Sequence, residues 1–189
     1  MLTDTPASGW PARVIAELDA SDRHAAAIAG GLTADQFNWK PAPGSWSVGQ
    51  CLHHLYVVNE VYLPPIAEAL AGQANAPVSE ITPGWFGRWF IRQYIDPSPQ
   101  SGKARAPGKI TPAPHLEPSV LDQFVQSNVA VRDLVRRAAP LDVNRIRFRN
   151  PFIGLLRFTV GTGFEIIWRH QRRHLLQAER VKQSPNFPR

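Results

Sequence analysis

The sequence predicts an all-α fold, a bundle of four long helices joined by one elaborate crossover, on three observations. Apolar residues recur at helical spacing through four long segments, start and stop residues bracket those segments, and no stretch alternates for long enough to build a sheet. The first segment runs from about Pro11 to Ala29. Pro11 suits a first-turn position, Val14, Ile15, Leu18 and Ala25 keep the helical period, and Gly30-Gly31 ends it. Thr33 with Gln36 three residues on predicts a short capped turn. Ser47 with Gln50 repeats that pattern and opens a helix reaching about Gly72, with Pro64-Pro65 marking a break or kink partway.

From Gln73 to Glu117 the organisation changes. Prolines crowd the stretch, at Pro77, Pro83, Pro97, Pro99, Pro107 and Pro112 to Pro114 among others, and a short aromatic helical piece from Trp85 to Ile91 is embedded in it. A connection this long is unusual inside a compact domain and tends to be functional or partly mobile. The third long helix fits Pro118 to Ala139, with Leu121, Phe124, Val125, Val131, Leu134 and Val135 on its apolar side and Arg136-Arg137 in the last turn, where cations favour the helix dipole. A basic, extended connection from Leu141 to Pro151 leads to the last helix, about Val160 to Lys182. The expected organisation is one domain over 1–189, with 73–117 as its Pro/Trp-rich crossover.

Composition narrows the function classes. With 43% hydrophobic and 19% charged residues, the 189-residue chain belongs with folded proteins and not with disordered ones. Lys and Arg number 21 against 15 Asp and Glu, a net charge of +6. The basic residues are scattered, densest at Arg145–Arg149 and Arg169–Arg173, and form no run of five, so a basic solvated surface is expected in preference to a nucleic-acid interface. No segment approaches the roughly 18 uninterrupted apolar residues of a membrane span. Met1 to Pro6 shows neither the basic nor the apolar region of a signal peptide, so a cytoplasmic protein with no membrane partner is expected. The single cysteine, Cys51, excludes an internal disulfide and a cysteine-based zinc knuckle, and its place on a core stripe makes it inert packing.

Histidines carry the remaining chemistry. His170 and His174 lie four residues apart, at the flank of the last helix's apolar stripe (Phe164, Ile167, Trp168, Gln171, Leu175, Ala178). Two imidazoles at that spacing can share one metal ion, although such pairs also arise by chance on helices. On the second long helix His54 falls within the buried stripe of Cys51, Leu55, Val58, Val61 and Tyr62, while His53 points about 100° away. A lone buried histidine is ordinarily a hydrogen-bonded core residue. A third inward one beside a His-x-x-x-His pair would complete three neutral nitrogen ligands and leave positions open, the pattern of catalytic and not structural sites. His115, in the crossover, joins only if that loop folds back, and His24 reads as surface. There is no His-Glu-x-x-His, no Gly-x-Ser-x-Gly, no P-loop, and no carboxylate pairing that suggests a di-iron centre.

Trp46-Ser47-Val48-Gly49-Gln50-Cys51-Leu52-His53-His54-Leu55 resembles the second-helix signature of the DinB-like (DinB/YfiT) superfamily, and His170-Gln171-Arg172-Arg173-His174 with the following Gln177 resembles its last-helix signature. The resemblance implies an up-down-down-up four-helix bundle, here with the long crossover and a short extra helix. It also implies a divalent metal, nickel or zinc before iron or manganese, held by His54, His170 and His174, with homodimers frequent. Relatives of that kind include S-transferases that use bacillithiol or mycothiol and a mycothiol-dependent isomerase. The expected function is therefore a metal-dependent enzyme of the thiol S-transferase type acting on a small electrophile, with thiolate or water as nucleophile. The alternative is a non-catalytic metal-binding or dimerisation bundle. Gln50, one turn before His54, and Gln177, three residues after His174, are candidates to hydrogen-bond the ligands, with capping the plainer role for Gln50.

Overall fold

Four long helices carry the chain: α1 (Trp10–Ala29), α3 (Val48–Leu70), α5 (Val120–Ala138) and α6 (Val160–Lys182), with a short α2 (Ala34–Asn38) between the first two. The computed structural model describes residues 9–96, 108–152 and 154–189. The expectation for Met1 to Pro6, and the part of the crossover holding Pro97, Pro99 and Pro107, lie outside the described residues. No described helix is long and apolar enough to cross a membrane.

Local sequence sets the boundaries. Pro11 occupies the first turn of α1, and at its end the Gly30 N–H donates to Ala26 O at 2.8 Å before Gly31, at φ +76°, turns the chain. Thr33 and Gln36 form a reciprocal capping box at α2, and Ser47 and Gln50 form another at α3, where Gln50 N–H donates to Ser47 Oγ at 3.1 Å. Gly49 is required by a close approach: a Cβ there would stand 2.5 Å from the ring of buried Phe37. Thr159 accepts from Thr162 N–H and starts α6.

Two expectations change. Of the break or kink expected at Pro64-Pro65, the break does not occur: α3 continues as helix through both prolines and ends at Leu70. Each proline forfeits one backbone hydrogen bond, but Tyr62, Ile66 and Leu70 are buried on the same face and hold the helix together across the gap. The second change is a small hairpin, β1 (Arg147–Arg149) paired antiparallel with β2 (Arg157–Thr159), in the connection before α6. Three-residue strands are too short to show alternation. Phe148 and Phe158 face each other across the ladder and are both buried, so tertiary burial makes the hairpin.

Side-chain pairs give the helix directions. Arg13 with Glu165 and His24 with Glu179 run α1 parallel to α6. Arg132 with Asp19, and Asn128 with Asp22, run α5 antiparallel to α1. His54 beside His170 and His174, with Ile66 against Gly163, runs α3 antiparallel to α6. The order is up-down-down-up, and the parallel pair α3 and α5 is what requires a long crossover. That crossover carries α4 (Trp85–Phe90), a π-helical turn (Ile91–Ile95) and a 3₁₀ turn (Gly108–Ile110).

Apolar packing divides into a cluster around Trp10, Tyr62, Phe148 and Phe164 and another around Phe37, Leu52, Phe124 and Leu175. Amide groups join all four long helices inside the bundle. Asn59 Nδ2 donates to Ser127 Oγ (2.8 Å) and Asn128 Oδ1 (2.9 Å), Gln171 Nε2 donates to Asn128 Oδ1 (2.7 Å), and Asn128 Nδ2 donates to Asp22 Oδ1 (2.6 Å). Asn128→Ala would strip partners from Asn59, Gln171 and Asp22 at once. It is expected to lower unfolding stability by about 2–4 kcal/mol in urea titration, far above the ~1 kcal/mol of a typical substitution.

Candidate metal centre

Helix α3 brings His54, and α6 brings His170 and His174, to one point, with a ring nitrogen from each lying within 4.8 Å of the others. His170 Nε2 stands 3.1 Å from His174 Nε2 and 3.4 Å from His54 Nε2. His54 and His174 are buried, while part of the His170 side chain reaches solvent.

The outer nitrogens of His54 and His174 fix the protonation of those two rings, whereas the buried His170 Nδ1 meets no partner among the described residues. His54 Nδ1 lies 2.8 Å from the backbone carbonyl of Ile110, which can only accept, so the proton sits on Nδ1 and Nε2 presents a lone pair. His174 Nδ1 lies 3.0 Å from Gln177 Oε1, with the same consequence. Two lone pairs therefore face His170 Nε2. An N–H there can satisfy one of them and leaves the other opposed. A cation satisfies all three, and two nitrogens bound at about 2.0–2.1 Å with a near-tetrahedral angle lie roughly 3.3–3.4 Å apart. The donor set fits a divalent metal, and the carbonyl and amide partners are the kind that orient metal-binding imidazoles.

Burial governs the electrostatics. It lowers the His54 pKa to about 4, against a raising contribution from the Ile110 hydrogen bond and a smaller lowering one from His53. His170 and His174 are held well below the ordinary histidine value, first by burial, then by His174 and His54 on His170 and by His54 on His174, with Arg173 adding to both and the Gln177 hydrogen bond opposing at His174. All three rings are neutral at pH 7, the form a metal needs. Cys51, fully buried, has its thiol pushed up to about 12 and takes no part.

The other expected residues fall in different places. Gln177 meets His174 directly. Gln50 spends its side chain on the Ser47 N–H and on the Ala113 carbonyl (3.0 Å), and none of these bonds reaches a histidine. His53 packs beside Tyr56, His115 is exposed, and His24 lies 3.5 Å from Glu179. Trp46 and Ile110 were not legible as site residues. Trp46 lies against His54 and His174 (ring centroids 4.9 and 5.4 Å), and its place directly before a capped helix is the signal that could have found it. Ile110 acts through its backbone, which leaves no mark in a sequence.

Beside His170 opens a cavity of about 520 Å³ with mainly aromatic walls. A second of about 560 Å³, lined by Arg145, Arg147, Arg149 and Arg157, lies against the hairpin and away from the histidines.

Comparison with known families matches residues 17–178 to the DinB superfamily, a span that contains all three histidines. Neither the curated proteins nor the solved structures gave a match.

Because the three rings are neutral when folded and free to titrate when unfolded, acid favours the unfolded chain. Stability is full above about pH 6.5, where both states are neutral, and falls as pH drops toward 4, by about 1.4 kcal/mol per pH unit for each histidine kept unprotonated. Urea titration of chelator-treated protein between pH 7.5 and 4.5 checks this, with His174→Gln expected to make the decline shallower. Stability independent of pH over that range would contradict a buried neutral triad.

Proposed function

The chain belongs to the DinB superfamily, and from that premise we propose that it is a divalent-metal-dependent enzyme joining a low-molecular-weight thiol to a small electrophilic substrate, with His54, His170 and His174 as the metal ligands. The carrying observation is the convergence of three Nε2 atoms, two of them held as lone-pair donors by Ile110 O and Gln177 Oε1. Three imidazoles suit nickel or zinc and accept iron or manganese. A divalent ion at that point supplies a Lewis acid that lowers the pKa of a thiol or water. His54 and His174 keep their tautomers through their outer hydrogen bonds, and Trp46 covers two of the rings and limits water there. Three protein nitrogens leave room for reactants, which a closed four-ligand site would not, and the adjoining cavity supports a small-molecule substrate.

Elemental analysis of purified protein is expected to show about one equivalent of metal, lost in His174→Ala while helicity by circular dichroism stays near wild type. Gln177→Leu is expected to weaken metal affinity about 10–100-fold. Gln50→Ala is expected to cost about 1 kcal/mol of stability through the lost cap and leave metal affinity unchanged. Absence of metal from wild type, even after soaking with zinc or nickel, would refute the reading.

Turnover supplies a separate test. Consumption of an electrophile, followed in the presence of bacillithiol, mycothiol or simpler thiols, is expected to require both the metal and a thiol. Metal without thiol-dependent turnover across that panel would leave a metal-binding bundle and remove the transferase.

A further inference from the structure

The cavity beside His170 has a composition that selects its occupant. Its volume, about 520 Å³, lies within the range of small-molecule sites, roughly 300–1,000 Å³. Its aromatic lining comes from the crossover, as Phe86, Trp89, Phe90 and Tyr94, and from outside it, as Phe152 and Tyr62. Phe86 and Trp89 stack on each other at 5.6 Å, and Trp89 and Tyr94 still leave 44% and 42% of their surfaces in water. No carboxylate, ammonium or guanidinium group lies among the described lining residues, so an ionised ligand would lose its hydration with no side-chain countercharge to offset the loss.

One polar group in that wall has bonding capacity to spare. Tyr62 is 2% exposed, and its hydroxyl oxygen accepts from Asn150 Nδ2 at 3.4 Å. Asn150 Oδ1 accepts from the Phe152 N–H at 2.9 Å. No acceptor for the Tyr62 proton is present among the described residues, and burial raises the phenol pKa, so the proton stays in place at all ordinary pH. A buried hydroxyl with an unused donor is a demand for an acceptor. The backbone that sets Tyr94 and Ile95 into the wall is a π-helical turn, a rare conformation that recurs at functional sites.

We propose that this cavity binds a neutral aromatic molecule carrying a hydrogen-bond-accepting oxygen, with the ring held against the crossover aromatics and Phe152 and the oxygen taking the Tyr62 proton. His170 lines the same cavity, so the occupant lies beside the three histidines. This names the substrate class of the proposed enzyme and rests on that reading only in supposing that the bound molecule reacts.

Equilibrium dialysis with acetonaphthone, ethylnaphthalene and naphthoate tests it. These probes share a ring system and differ in offering a neutral acceptor, none, or a charge. Wild type is expected to bind the first two saturably and naphthoate at least about tenfold more weakly than acetonaphthone. Tyr62→Phe is expected to weaken acetonaphthone about three- to tenfold, the worth of one hydrogen bond, and to leave ethylnaphthalene within about twofold. Trp89→Ala, at a half-exposed position, is expected to weaken both neutral probes and keeps the test decisive if Tyr62→Phe unfolds. No saturable binding of either neutral probe, an equal loss of both in Tyr62→Phe, or naphthoate binding as tightly as acetonaphthone would overturn the proposal. The two neutral probes are measured on metal-loaded and chelator-treated protein, and naphthoate is compared on chelator-treated protein, where no cation at the histidines can hold its carboxylate. Probe binding by a protein that takes up no metal would uphold the cavity and remove the enzyme, and metal uptake without probe binding would do the reverse.

Discussion

The amide network around Asn128 is the constraint on which the rest of the structure depends. Apolar side chains tolerate small rotations of one helix against another, because any hydrophobic neighbour of suitable volume will serve. Amides do not, since a buried donor that loses its acceptor costs about 1–3 kcal/mol. Asn128 accepts from Asn59 on α3 and Gln171 on α6 and donates to Asp22 on α1, so all four long helices are registered through one side chain of α5. Gln171 stands between His170 and His174 in sequence, and Asn59 lies five residues after His54. Fixing the rotation of α6 and α3 at those amides fixes the directions from which the three imidazoles approach each other.

The outer hydrogen bonds carry that order out to the connections. His54 depends on the Ile110 carbonyl, which belongs to the 3₁₀ turn near the end of the crossover, and the other end is tied to α6. Arg169 pairs with Asp96 at 3.0 Å, and Arg173 donates to the carbonyls of Tyr94 and Asp96. Arg169 directly precedes His170 in sequence, and Arg173 directly precedes His174. A displacement of the backbone of the π-helical turn is therefore felt at the same helix that presents two of the three histidines.

Much of this was legible in the residues. Ser47 with Gln50 and Thr33 with Gln36 mark helix starts because capping chemistry is local, and the 3.6-residue period placed His54 inward and His53 at the edge without reference to any other segment. What escaped depends on partners distant in sequence. The hairpin exists because Phe148 and Phe158 bury each other and Phe148 packs on Tyr62 (5.9 Å), which no three-residue window reveals. Pro64-Pro65 reads as an interruption until the burial of Ile66 and Leu70 is known. Gln50 was ambiguous for a related reason: its spacing from His54 suited a ligand contact, but the Ala113 carbonyl supplied by the crossover claims its amide.

A division of labour follows from where the two groups of residues come from. The histidines stand on long helices whose register is fixed by buried amides, so the nitrogen cluster belongs to the bundle. Apart from Tyr62 of α3, the aromatic walls come from the two connections: Phe86 stacks on Phe158 at 5.8 Å, Phe90 meets the same ring at 5.1 Å, and Asn144 bonds both the Thr82 N–H and the Glu80 carbonyl. Those connections brace each other without passing through the amide network. Arg173 holds the backbone carbonyls of Tyr94 and Asp96, so the side chains of Trp89 and Tyr94 can be exchanged with little disturbance of the histidines, whereas those of Asn128 or Gln171 cannot. Separate supports of this kind let the side chains of the cavity wall change without moving the helices that present the three histidines.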